Sequence, residues 1–204
     1  MNNATIESRF EDHKVAPAII RPGSGTYRDA VSEGTKTVIF GTSMTKNIDY
    51  NDFNENYNKG TARFQRWPGG KARHFKYYVA PHLAEERPDT VIIQAGGNDL
   101  PTKKSSPTPV LDIANHIIDA AVVCRKYDVR NIFISSVMPR NLPYMQHRRR
   151  DLNMLLKNLC TINNFIFIDN SNILLKEHIS NDGVHLNHSG TVILANNLLQ
   201  YLND

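Results

Sequence analysis

Residues able to do acyl chemistry sit in four short, polar, glycine-bearing segments spread along the chain. They are Ser43 in Gly41-Thr42-Ser43-Met44, Gly69 in Trp67-Pro68-Gly69-Gly70, Asn98 in Gly96-Gly97-Asn98-Asp99, and Asp182 with His185 in Asp182-Gly183-Val184-His185. A serine hydroxyl is a weak nucleophile until an imidazole takes its proton. The imidazole in turn needs a carboxylate that fixes its tautomer and stabilises the cation it becomes. Separation by three residues lets Asp182 and His185 meet within one turn, so that pair assembles locally. The tetrahedral oxyanion of ester cleavage needs donors already in place. The backbone N–H groups of Ser43 and Gly69 and the Asn98 side-chain amide would supply three, each typically worth about 2.7–4 kcal/mol of transition-state stabilisation. Glycine suits position 69 because a side chain there would hold the backbone away from the substrate. Gly70 is the alternative donor in that segment.

Taken singly, these residues have plainer readings. Ser43 suits a turn or a helix cap, His185 a packed or solvated ring, Asn98-Asp99 a turn dipeptide, and Asp182 a turn cap. Asp99 is expected to support the Asn98 turn and not to act as a base. What lifts the set above its members is a shared location, and that depends on the elements between them.

From Lys36 onward, short apolar runs alternate with longer helical patterns. Residues 37–40, 90–93, 131–135 and 165–168 are β-branched or aromatic runs of the kind that suits strands buried on both faces. A weaker strand over 61–67 alternates polar and apolar residues and is expected at an edge. Residues 110–122 repeat apolar side chains at helical spacing behind Pro109. Residues 144–163 and 189–202 read as two further helices, the second with an apolar stripe of Val192, Ala195, Leu198, Leu199 and Leu202 and with Ser189 as its N-cap. A helix over 71–86 completes the set, with Pro81 expected to kink or split it. This alternation predicts an α/β fold: a three-layer α/β/α sandwich around a five-stranded parallel sheet. Ligands of such sheets bind outside the carboxyl ends of the strands, which is where each polar segment falls.

In this order and at this spacing, the four segments resemble the blocks of the SGNH (GDSL-type) hydrolase superfamily over roughly residues 36–203. The resemblance implies a flavodoxin-like sheet and a serine esterase acting through an acyl-enzyme intermediate. Ser43 would be the nucleophile, His185 the base and then acid, and Asp182 its orienting partner, with Ser43, Gly69 and Asn98 as the oxyanion hole. It implies small acyl esters or lipids as substrates and no metal or organic cofactor. The family's first block usually reads Gly-Asp-Ser, so Thr42 is a departure that bears on rate and local geometry more than on mechanism. The chain is also similar to esterase domains of retrotransposon-encoded proteins and, more distantly, to the OSK domain of Oskar, a catalytically dead relative that binds RNA. That comparison supplies the rival reading of an idle scaffold that binds RNA or protein.

Composition narrows the remaining classes. The chain has 204 residues, 40% hydrophobic and 22% charged, with 24 basic and 20 acidic side chains for a net charge of +4. These values exclude disordered, collagen-like and membrane-embedded chains. Residues 1–35 lack a sustained apolar period and contain Pro22-Gly23-Ser24-Gly25, so they are expected to be a tail or linker before a domain over 36–204. The basic run His147-Arg148-Arg149-Arg150 keeps nucleic-acid binding open as a secondary role. On a helix, however, three consecutive residues fan across about 200°, so they cannot face one phosphate backbone together. Lys103 and Lys104 lie in a polar loop that is expected to border the pocket or to be a plain connection. No phosphate-binding fingerprint follows the first strand. The histidines show no metal-ligand spacing. Cys124 and Cys160, outside any CxxC, suggest a reducing compartment. With no apolar leader and no run long enough to span a membrane, an intracellular location is expected.

Overall fold

A computed structural model of the chain describes residues 34–100 and 107–204. The tail expected over 1–35 therefore lies outside the described residues except for Gly34 and Thr35, as does the Lys103-Lys104 loop. Five strands form one parallel sheet: β1 (Thr35–Gly41), β2 (Gly60–Arg66), β3 (Thr90–Ile93), β4 (Asn131–Ser135) and β5 (Ile166–Ile168). Their order is β2-β1-β3-β4-β5. Val38 pairs with both Arg63 of β2 and Val91 of β3, so β1 lies inside the sheet and β2 at its edge.

The β1 and β3 sequences are uninterrupted apolar runs because both sheet faces are covered, and alternate side chains enter opposite cores. Val38, Phe40, Val91, Ile93, Ile132 and Ile134 enter one core, whereas Ile39, Ile92 and Phe133 enter the other. Helices α2 (Ala72–Glu86), α3 (Val110–Lys126) and α4 (Pro143–Asn163) cover the first face. Helices α1 (Tyr50–Glu55) and α6 (His188–Asn203) cover the second, with the short α5 (Leu175–His178) leading into α6.

Three expectations are corrected. Pro81 does not break α2, which runs unbroken through it. A helical proline frees the carbonyl four residues earlier. Here that residue is Tyr77, 67% exposed, and Pro81 is itself exposed, so water can take the freed group. The apolar stripe of α6 differs in part from the one read in the sequence: Leu198 and Leu202 are buried and Ala195 and Leu199 pack against the core, but Val192 does not. Val192 is 44% exposed, whereas Leu194, Leu198 and Leu202 are buried beside Asn197. Asn197 is inside because its amide donates to Asn170 Oδ1 at 3.0 Å and to Asn172 Oδ1 at 2.8 Å. The N-cap of α6 is Asn187, not Ser189. Its side-chain oxygen accepts from the Gly190 N–H, and Ser189 donates its hydroxyl to that same oxygen.

The strand order places a topological switch between β1 and β3. Connections leave these two neighbours toward opposite faces and open a crevice at their carboxyl ends. Ser43 follows β1 and Asn98 follows β3, so the fold brings the first and third polar segments to the lips of that crevice.

Candidate active site

β1 ends at Gly41, and the chain turns at once into a single 3-10 turn over Ser43–Thr45. Thr42, the residue before it, is 1% exposed. Its hydroxyl donates to Gln94 Oε1 at 2.9 Å, and its N–H reaches the same oxygen at 3.3 Å. Gln94 continues β3, so a neutral hydroxyl–amide pair ties the Ser43 segment to the neighbouring strand. The Ser43 side chain stays partly exposed above this anchor.

His185 Nε2 lies 3.1 Å from Ser43 Oγ, and His185 Nδ1 lies 2.6 Å from Asp182 Oδ2. The distances define a continuous path: hydroxyl, imidazole, carboxylate. The other Asp182 oxygen accepts from the Ser180 hydroxyl at 2.7 Å, the Val184 N–H at 2.8 Å and the His185 N–H at 2.9 Å. Donation from the His185 backbone, the Ser180 hydroxyl, the His185 ring and the Val184 backbone favours the anion and holds the Asp182 carboxyl well below the usual carboxylate range. Asp182 thus caps the turn that carries His185 and orients the ring of the same residue.

The second segment is a turn of type II character. Gly70 N–H donates to Trp67 O at 2.9 Å, Pro68 takes the position where its fixed φ fits, and Gly69 has φ +75°. Glycine is required here first by that backbone conformation, and a Cβ at 69 would meet nothing within 4 Å. The turn distinguishes the two glycines: the Gly70 N–H is committed to Trp67, whereas the Gly69 N–H meets no protein acceptor among the described residues.

Asn98 is held at both ends of its amide. Its Nδ2 donates to Gly70 O at 3.0 Å, and its Oδ1 accepts from Arg140 Nη2 at 2.9 Å. A guanidinium only donates, so the contact fixes which end of the amide is nitrogen and leaves one N–H of Nδ2 for another acceptor. Arg140 is 5% exposed. Burial lowers its pKa from the usual arginine value, while the Asp182 and Asp99 carboxylates oppose that shift. Gly97 makes room for it, since a Cβ there would lie 3.1 Å from Arg140 Nη2. Nothing near it in the sequence sets Arg140 apart as a site residue. No local motif marks it, because its partner is 42 residues away.

Asp99 serves a structural end, as expected, but through α2. Its Oδ2 accepts from the Ala72 N–H at 3.0 Å, and burial raises its pKa. The arginine run is also partly engaged. Arg148 donates to the Leu100 and Thr108 carbonyls, and Arg149 to Gln146 Oε1 at 3.2 Å. Both cysteines are buried, and burial pushes each thiol up to about 12, far from nucleophilic use near neutral pH.

The family model for GDSL-like lipases and acylhydrolases matches residues 39–192, a span that opens inside β1 and closes in the first turns of α6. The chain belongs to the GDSL-like lipase/acylhydrolase family. As a member of that family of serine hydrolases, it shares the fold of solved relatives at low identity. A lipase/acylhydrolase from Enterococcus faecalis superposes with a TM-score of 0.70 at 16% identity, over 83% of this chain and 95% of that one. A catalytic mutant of an acetylxylan esterase from Geobacillus stearothermophilus gives 0.68 at 17% identity, over 83% and 94%. A GDSL-like lipase from Bacteroides thetaiotaomicron gives 0.63 at 18%, over 82% and 87%. No curated protein sequence matches the chain. Among the described residues of this GDSL-like protein, no helix is long and apolar enough to cross a membrane.

Proposed function

We propose that this GDSL-like protein hydrolyses carboxylic esters of short acyl groups, with Ser43 as nucleophile, His185 as base and acid, and Asp182 as the residue that orients the ring. The observation that carries the reading is the path from Ser43 Oγ to His185 Nε2 at 3.1 Å and from His185 Nδ1 to Asp182 Oδ2 at 2.6 Å. In the first half-reaction, Oγ bonds to the carbonyl carbon as its proton passes to Nε2, and the carbonyl π pair moves onto oxygen. The oxyanion so formed takes hydrogen bonds from the N–H groups of Ser43 and Gly69 and from Asn98 Nδ2. Collapse of the adduct expels the alkoxide, which takes the proton from Nε2 and leaves an acyl-serine. Water then repeats the sequence against the acyl-enzyme and restores Ser43.

A short acyl group is the class named by the acetylxylan esterase among the similar structures. The free Gly69 N–H and the clamped Asn98 amide support the oxyanion assignment, since both donors are fixed before any substrate arrives. The test is covalent labelling with a fluorophosphonate, followed by peptide mapping. Label on Ser43, absent in Ser43→Ala, together with turnover of a nitrophenyl acetate by the wild type alone, is expected. Equal turnover by wild type and Ser43→Ala would exclude the nucleophile assignment.

A further inference from the structure

Beyond the Gly69 turn lies a cationic groove that the proton path does not use. It has a volume of about 460 Å³ and runs from the Gly69-Gly70 turn onto the first turns of α2. Its walls are Arg66, Trp67, Lys71, Arg73, His74 and Tyr78, with no carboxylate among its lining residues. Arg66, Lys71 and Arg73 form no ion pair with an acidic side chain among the described residues. The Asp99 carboxylate stands within electrostatic reach of Lys71 and Arg73, but its Oδ2 is bound to the Ala72 N–H.

Two further features bear on what the groove receives. Arg66 carries a buried Nε with no hydrogen-bond acceptor, although its Nη2 reaches Ile48 O at 3.3 Å and its guanidinium lies over the Phe64 ring. The guanidinium of Arg73 is oriented by its own neighbour, with Nε donating to His74 Nε2 at 3.0 Å. The same groove is lined by the aromatic rings of Trp67 and Tyr78. Trp67 stacks on Tyr78 with centroids 4.9 Å apart and on Phe40 at 5.8 Å, and meets the edge of Phe75 at 5.6 Å. Arginines without a carboxylate partner beside stacked aromatic faces match a compact oxyanion, since a guanidinium offers parallel N–H donors to carboxylate or phosphate.

We propose that this groove is a substrate subsite for an oxyanionic group, a carboxylate or phosphate carried by the ester that Ser43 cleaves. The proposal rests on the hydrolase reading for its substrate, and on the groove alone for its anion. Gly69 joins the two. Its N–H is assigned to the reacting carbonyl, and the same residue lines the end of the groove, so an ester held at Gly69 has a neighbouring part directed along Lys71 and Arg73. Clefts lined by one sign of charge raise local substrate concentration and on-rate by roughly 10- to 1000-fold, an effect that salt screens.

The experiment compares charged esters with neutral isosteres at low and high ionic strength. For the alcohol side the pair is 4-acetoxybenzoate and 4-acetoxybenzamide. For the acyl side it is mono-(4-nitrophenyl) glutarate and 4-nitrophenyl valerate. One pair is expected to show a charged-over-neutral ratio in kcat/KM of about 10 or more, falling toward one in high salt and in the Lys71→Ala/Arg73→Ala double variant. Whichever pair responds shows which side of the ester carries the anion. The exposed Arg73→Glu variant is expected to invert the preference, with an unchanged thermal melt as the check on folding. Ratios near one in both pairs, with the neutral esters turned over, overturn the subsite and leave the hydrolase reading intact. Failure to turn over any ester sinks the hydrolase reading instead, and the groove is then judged alone. Trp67 is the only tryptophan of the chain. Its fluorescence in Ser43→Ala is expected to saturate with inorganic phosphate at constant ionic strength and to lose that response in the double variant. A flat titration overturns the anion site.

Discussion

Arg140 donates from Nη2 to Asn98 Oδ1 at 2.9 Å, and this contact decides which way the Asn98 amide faces. The guanidinium comes from the segment between β4 and α4, the amide from the end of β3. Two loops that share no local sequence are joined by one part-buried, charge-assisted hydrogen bond. The opposite end of the amide donates to Gly70 O, so three segments of the site meet at a single side chain.

Arg140 is therefore expected to act as a positioning residue. Arg140→Lys keeps a cation but not the planar fork, and is expected to lower kcat by about 100-fold with little change in KM, the scale associated with ångström-level misplacement of a group. Asn98→Ala in the Arg140→Lys background should then cost much less than it does alone, because both changes remove the same oriented donor. Additive losses in that double-mutant cycle would contradict the assignment.

Thr42→Val tests the hydroxyl–amide tie beneath Ser43. The two side chains have nearly equal volume, so the change removes the 2.9 Å bond to Gln94 Oε1 and leaves a buried acceptor with only the longer contact from the Thr42 N–H. A loss of about 1–2 kcal/mol in stability is expected from urea unfolding, with an unchanged m-value. A stability equal to wild type would mean that the tie contributes nothing net.

Gly69→Ala separates backbone strain from crowding. The added methyl meets no protein atom within 4 Å, so the stability cost should come only from holding an alanine at φ +75°, roughly 1–2 kcal/mol. Gly70→Ala is expected to cost more, because its Cβ would lie 2.9 Å from Trp67 O. Thermal melts of the two variants check the order. If Gly69→Ala also loses activity beyond its stability cost, the methyl is intruding on the substrate.

Asp182 sets the acid behaviour. Four hydrogen bonds favour its anion and depress its native pKa below the unfolded value of about 3.9. A depressed native pKa contributes stability that is fully present above the unfolded value and is lost as pH falls through the native one. Asp182 should therefore stay ionised from neutral pH down through the ordinary carboxylate range. Any loss of activity between about pH 7 and 4 then belongs to another group. Titration of the Asp182 carboxyl carbon by NMR checks this, and a midpoint near the ordinary aspartate value would contradict it. Asp182→Asn is expected to reduce kcat by roughly 10⁴-fold, as in trypsin-type triads where the wrong imidazole tautomer is favoured.

Much of the architecture was legible because its causes are local. Residues 90–93 read as a buried strand since every one of them is apolar or β-branched, and β3 occupies those four positions. The contact between the His185 ring and the Asp182 carboxylate, 2.6 Å, follows from a three-residue spacing and is therefore local. The α6 stripe was only partly legible, with Val192 exposed and Asn197 buried, for the opposite reason. Its orientation depends on Asn197 finding partners in Asn170 and Asn172, and a helical period counts that residue as polar and places it outside. Pro81 likewise reads as a breaker from propensity alone, while its actual effect depends on which side of α2 faces water.

The sequence by itself determined the residue types of the candidate site, their order and the strands that carry them, since side-chain chemistry and apolar period are properties of neighbouring residues. The tertiary structure decided the 3.1 Å approach of His185 to Ser43, the choice of Gly69 over Gly70 as a free donor, and the role of Arg140. Each of these is a meeting of loops tens of residues apart, set by the β2-β1-β3-β4-β5 strand order and not by any spacing along the chain.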